Sequence, residues 1–181
     1  LHEVKLEKIR FCHKEVTTAS RQLTEEEIAE AQEVMQRYPE VSINRDSLKD
    51  LTSEDLAKKT PFALKYFASR LLELNKPGEK RSFVLTGFEL GSIFIASMPS
   101  EPFTENGLRI RKSFFPRHTC LVAALANGTG GGKTTGGYIP NTWNLGRGGY
   151  ETTPRSNPFS ADTAERLLDA WKELAENIAN K

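Results

Sequence analysis

The sequence has 181 residues, 38% of them hydrophobic and 27% charged, proportions that suit one globular domain with a sizeable core. Lys and Arg number 25 against 24 Asp and Glu, a formal charge of +1, so the balance gives no electrostatic reason to expect nucleic acid or an anionic membrane as partner. No apolar run approaches the roughly 20 residues that span a bilayer, and two cysteines, Cys12 and Cys120, are too few for a disulfide scaffold.

From Leu1 to Phe11, Val4, Leu6, Ile9 and Phe11 alternate with charged neighbours, the pattern of a half-exposed strand. After a polar stretch Thr24 can cap a helix, with Glu27 completing a capping box and Ile28, Ala31, Met35 and Tyr38 on one face before Pro39. A second helical region is expected over about Ser53 to Leu74. Pro61 should divide it, because proline removes a helical donor, and Ala63, Phe67, Leu71 and Leu74 should form its buried stripe.

A Pro-Gly turn at Asn75 to Lys80 marks a change of character. Ser82 to Thr86 and Ile93 to Met98 read as strands joined through Gly91-Ser92 as a hairpin. Ile93-Phe94-Ile95-Ala96 is apolar throughout and predicts a strand covered on both faces. Pro102 to Lys112 can form a short helix, and Thr119 to Ala126 a central strand. Residues 127–159 are dense in Gly, Thr, Asn and Pro and predict a long loop region. Ser160 then caps a helix in which Ala164, Leu167, Leu168, Trp171, Leu174, Ala175 and Ile178 recur at helical spacing. The sum is an α/β fold, a layered mixed β-sheet packed by amphipathic helices.

Chemistry is expected where the apolar strands end, since ligand sites of open α/β sheets gather there. Glu101 has two readings. With Ser100 as a cap and Pro102 in a first helical turn, its carboxylate favours a helix dipole; alternatively it is a metal ligand or general base at a strand-to-helix turn. Gly132-Lys133-Thr134 resembles the end of a phosphate-binding loop, but Asn127 stands where that loop needs Gly, and Thr135-Gly136-Gly137 is a poor helix start. His2, His13 and His118 have no metal-binding spacing.

The order of motifs is more specific. Met98-Pro99-Ser100-Glu101-Pro102-Phe103, a short helix, an apolar strand ending Leu125-Ala126-Asn127-Gly128, then Gly137-Tyr138-Ile139-Pro140 resembles the C-terminal half of the neutral ceramidase catalytic domain. Gly148-Gly149-Tyr150-Glu151 and the helix after Ser160 continue the likeness. The resemblance implies a zinc-dependent amide hydrolase in which Glu101 and Tyr138 are catalytic metal ligands, completed by two histidines from an N-terminal portion outside this chain. Residues 1–181 are then a single domain or the C-terminal portion of a larger ceramidase-like domain. It also implies a lipid-like or other N-acyl small-molecule substrate. Departures are Ser100 in place of a Gly, Pro102 inserted before Phe103, and an insertion over Thr129 to Gly136 that makes Tyr150 a rival to Tyr138. Two further readings are a non-catalytic ceramidase-like interaction module and a nucleotide-binding protein using the Gly132-Lys133-Thr134 loop. A start at Leu1 without an initiator Met or signal peptide suggests a processed chain or excised fragment. Relatives are often exported, though the residues themselves fix no compartment.

Overall fold

The computed structural model describes residues 9–44, 46–76, 78–127 and 136–179. The chain divides into two compact units, one of residues 1–20 with 78–181 and one of residues 21–77. The first is a mixed sheet packed by helices, an α/β architecture.

Four strands form its main sheet in the order β1 (Ile9–Ala19), β2 (Lys80–Leu90), β3 (Ile93–Ser97) and β5 (Thr119–Ala123). β1 pairs antiparallel with β2 along its full length, β2 pairs antiparallel with β3, and β3 runs parallel to β5. The hairpin is the predicted one: Leu90 faces Ile93 across Gly91-Ser92, and Gly91 takes φ +60°, which a primed hairpin turn requires of its first loop residue. β1 extends well past Phe11, because Val16, Thr17 and Thr18 are good strand formers and Val16 and Thr18 are buried; the predicted strand residues Val4 and Leu6 lie outside the described residues.

Helix α6 (Thr163–Ala179) covers one face, and all seven apolar positions read from its sequence are buried. Burying leucine- or isoleucine-sized side chains contributes roughly 1.5–3 kcal/mol each. Trp171 stands edge-on to both Phe94 and Phe115, whose rings stack at 3.8 Å, and its indole N–H donates to the Ser97 carbonyl at 3.1 Å. Gly87 lies beneath this cluster. A Cβ there would sit 2.7 Å from Cζ of Phe94 and 2.8 Å from the Cys12 sulfur.

The expectation that β3 is covered on both faces is corrected. Phe94 and Ala96 are fully buried, whereas Ile93 and Ile95 are only half-buried. β5 is an edge strand of the described sheet rather than a central one, with Leu121 54% exposed. A continuous apolar run reads as doubly covered, but here only its alternate residues face the helix layer.

The second unit holds α1 (Glu25–Arg37), α2 (Ser53–Lys58) and α3 (Pro61–Leu74). Thr24 and Glu27 form the predicted capping box, Thr52 and Asp55 form another, and Pro61 opens α3 after the Thr60 cap. Ala63, Lys65, Tyr66 and Ala68 are buried on α3, whereas Phe67, Leu71 and Leu74 of the expected stripe are half-buried. The Lys65 ammonium donates to the carbonyls of Tyr38 at 2.6 Å and Val41 at 2.7 Å. These acceptors let a lysine occupy a buried position that polarity alone would place in water.

Candidate functional site

The candidate site grows from the ends of β3 and β5. The Met98 N–H donates to the Ala123 carbonyl at 2.7 Å, Ala126 N–H to Met98 at 3.1 Å, and Leu125 N–H to Ser100 at 2.9 Å. This lacing forces three residues with side chains into left-handed backbone: Ser100 at φ +53°, Leu125 at +56° and Asn127 at +65°. Such conformations cost about 1–2 kcal/mol for an L-residue and cluster at functional sites. Ser100 therefore does not cap the helix as the structural reading of Glu101 supposed. The cap position belongs to Phe103, ahead of α4 (Thr104–Arg109), which runs on as a π-helical turn over Ile110–Phe114. Pro102 belongs to a strand, so the predicted helix begins two residues later.

Glu101–Pro102 form a short strand β4, which pairs in parallel with β6 (Tyr138–Ile139). Glu101 faces Tyr138 directly, 37 residues away in sequence. The Glu101 N–H donates to Gly137 and the Phe103 N–H to Ile139, both at 3.1 Å. On its other side the Tyr138 N–H donates to the Ser156 carbonyl at 2.7 Å. Gly137 makes that approach possible: it sits at φ +126°, and a Cβ would meet Pro158 at 2.7 Å and the Ser156 carbonyl at 3.0 Å.

Two asparagines pin the pair from beneath. Asn106 is fully buried, donates to the Ile139 carbonyl at 2.9 Å and accepts from Asn141 at 2.6 Å. The donation to Ile139 fixes the orientation of the Asn106 amide, and this in turn fixes Asn141. Neither residue was marked by the sequence reading. The available signal was an Asn inside a short helix, where it is a poor helix former and needs a reason to be present.

Glu101 and Tyr138 open onto a cavity of about 790 Å³, whose wall includes Phe103, Leu125, Trp143 and Glu151. Trp143 is fastened by its indole N–H to Glu105 at 3.0 Å, and the Arg147 guanidinium lies 5.0 Å from its ring centre. Tyr150, the rival of Tyr138, stands edge-on to it at 6.0 Å and is 58% exposed. The structure thus brings both tyrosines to one place, but only Tyr138 is in register with Glu101. The negative charge of Glu101 is the first cause that pushes the Tyr138 phenol above the ordinary tyrosine range, followed by burial and a hydrogen bond to Glu101.

The described histidines lie elsewhere. His13 stacks on Phe11, and His118 contacts Glu89 at 3.2 Å. Glu89 is buried between His118 and Arg10, and the Arg10 guanidinium foremost holds its carboxyl below the usual range. Among the described residues no group of three or more His, Cys, Asp or Glu could hold a metal ion. Gly132-Lys133-Thr134 lies outside the described residues. Among those described, no helix is long and apolar enough to cross a membrane.

No family model and no curated protein matches the sequence. Among solved structures, a ceramidase complexed with C2 superposes on 55% of this chain at 17% identity with a TM-score of 0.45, and 15% of that chain is covered. Neutral ceramidase from Pseudomonas aeruginosa superposes on 53% at 20% identity with a TM-score of 0.41, over 16% of its length. In fold, the chain is similar to neutral ceramidases over about half of its own length and spans less than a fifth of theirs.

Proposed function

We propose that this chain contributes Glu101 and Tyr138 to the zinc site of an amide hydrolase of ceramidase-like type, with histidines from outside these residues completing the site. The single observation that carries the reading is the register of β4 and β6. It sets a carboxylate beside a phenol at the mouth of a cavity, across 37 residues of sequence. Motif order supports it independently, because the resemblance to neutral ceramidases implies metal-ligand roles for the same two residues.

The donor set suits zinc in kind and falls short in number. Zinc accepts carboxylate oxygen, and protein zinc sites use three or four ligands. Two anionic oxygens held side by side repel, which is why Glu101 disfavours the ionised form of Tyr138. A divalent cation between them would reverse that sign. When bound, zinc polarises an amide carbonyl and activates water at neutral pH. The chain's own part is to hold the two oxygens on a hydrogen-bonded frame and to offer Phe103, Leu125 and Trp143 as an apolar wall for an acyl group.

Zinc stoichiometry and hydrolysis of an N-acyl amide should be measured on the protein with its histidine-bearing segment, and zinc again on these 181 residues alone. The reading expects one zinc and activity in the first, both lost in Glu101→Ala, and only weak zinc binding by the second. Tight zinc binding by the 181 residues that survives Glu101→Ala would sink it.

A further inference from the structure

A second cavity lies at the other end of β3 from Glu101, where the Gly91-Ser92 hairpin meets the last turn of α6. It holds about 640 Å³, a size that suits a small ligand, and Arg10, Ser92, Ser113, Arg117 and His118 supply its polar wall. Among the described residues no Asp or Glu lines it. Two of its side chains are held in place from behind. The core-facing row of β2 runs Phe83, Leu85, Gly87 and Glu89, so a carboxylate stands where the pattern calls for an apolar side chain. Glu89 is the register partner of Arg10, pairs with its guanidinium, and lies 3.2 Å from Nε2 of His118. A second Arg10 nitrogen donates to the Ile178 carbonyl at 2.7 Å. A buried ion pair is on average no more stabilising than apolar side chains of the same volume. What this one achieves is orientation: a single carboxylate fixes a guanidinium and an imidazole on the cavity wall.

Arg117 is presented by its backbone. Phe115-Pro116-Arg117-His118 is a tight turn, closed by the His118 N–H on the Phe115 carbonyl at 3.1 Å, with proline where it presets the turn. The Thr119 N–H donates to the Ser92 carbonyl at 2.9 Å and laces this turn to the hairpin. The segment before it is the π-helical turn Ile110–Phe114, closed by the Phe115 N–H on the Ile110 carbonyl at 3.1 Å. Such turns are rare and are frequent at functional sites; this one sets Ser113 and Phe114 into the wall. Among the described residues the Arg117 guanidinium has no ion pair and no hydrogen bond.

We infer that this cavity binds a small organic carboxylate, with Arg117 gripping the carboxylate and Phe114 and Ile178 receiving the apolar part. The charge count favours that class. Arg10 and Arg117 bring two positive charges to the wall and Glu89 cancels one, so with histidine neutral a single negative charge completes the balance. A phosphate dianion would overshoot it. The planar guanidinium fork also matches a carboxylate through two parallel hydrogen bonds. The inference uses neither Glu101 nor Tyr138 and stands apart from the zinc reading.

Benzoate is the probe, titrated into the 181 residues at neutral pH and constant ionic strength and followed by amide NMR shifts. Saturable shifts are expected at Ser92, Arg117 and His118, with the Tyr138 amide unmoved. Arg117 is an exposed turn residue, so Arg117→Gln should leave the fold intact and weaken binding about 10-fold or more. Arg117→Lys should lose less, because it keeps the charge and gives up only the fork. Benzamide, the neutral analogue, should not bind, and inorganic phosphate should bind more weakly than benzoate. The absence of saturable shifts at tens of millimolar benzoate would overturn the inference, as would unchanged affinity in Arg117→Gln or equal binding of benzamide. Phosphate binding as tightly as benzoate would also overturn it, identifying an unselective cationic patch.

Discussion

Replacing Asn106 with Ala removes the pin beneath the Glu101–Tyr138 pair. Asn106 is fully buried and holds two partners, the Ile139 carbonyl at 2.9 Å and the Asn141 amide at 2.6 Å. The two losses are unequal. The Ile139 carbonyl keeps the Phe103 N–H at 3.1 Å, so that end forfeits one hydrogen bond, about 1 kcal/mol net. The Asn141 amide is 2% exposed, and its Oδ1 already has no partner, so losing Asn106 orphans a buried donor at about 1–3 kcal/mol. Together these predict a loss of about 3 kcal/mol, read by urea denaturation monitored through Trp171 fluorescence. The Glu101–Tyr138 register should loosen as well, so the phenol should titrate closer to the ordinary tyrosine range in an ultraviolet pH titration. Asn106→Asp separates the roles: it keeps an acceptor for Asn141 but opposes a carboxylate to the Ile139 carbonyl. Its deficit should be large at neutral pH and shrink as acid protonates the new carboxyl and restores a donor. A loss under about 1 kcal/mol in Asn106→Ala, with Tyr138 titrating as before, would refute the pinning argument.

Three other outcomes follow from the same physics. Leu125→Gly should stabilise the fold by about 0.5–1 kcal/mol, because relief of the left-handed backbone exceeds the entropy of glycine and the side chain is 65% exposed, and calorimetry reads it; under the proposed hydrolase function it should also raise KM for an N-acyl amide by removing cavity wall. Arg10→Ala should cost about 1–3 kcal/mol at neutral pH by leaving the Glu89 carboxylate with His118 as its remaining charged neighbour. Because Glu89's native pKa is depressed, the pair's contribution is complete above the unfolded value near 4.3 and disappears as pH falls through the lower native one, so denaturation curves of variant and wild type should converge in acid. Burial pushes the Cys120 thiol up to about 11, so iodoacetamide at pH 8 should leave it unmodified in the native protein and alkylate it in urea.

The start of α1, the hairpin and the α6 stripe were legible because each is written locally: Thr24 with Glu27, Gly91-Ser92, and the spacing from Ala164 to Ile178. Which face of a strand is covered is not local. Ile93 to Ala96 reads as doubly buried, yet only the partner layer decides, and α6 lies on one side. The burial of Lys65 was invisible for a similar reason, since the carbonyls of Tyr38 and Val41 that satisfy it come from another segment. Motif order singles out Glu101 and Tyr138, but the register that pairs them depends on Gly137 fitting against Pro158 and on two asparagines with no motif of their own. Ser100 shows the converse case, in which a polar residue before a helix suggests a cap and instead occupies a left-handed turn.

The most direct test of the proposed Glu101–Tyr138 zinc site is the tyrosinate difference spectrum on adding zinc, at neutral pH, to the metal-free 181 residues joined to the proposed histidine-bearing segment. Without metal the Tyr138 phenol is held above its ordinary range by Glu101, so it starts protonated. Zinc ligation predicts that one tyrosinate appears per zinc bound, is absent in Tyr138→Phe, and requires more zinc in Glu101→Gln. Stoichiometric zinc uptake with no tyrosinate, or a tyrosinate signal that persists in Tyr138→Phe, would contradict the account.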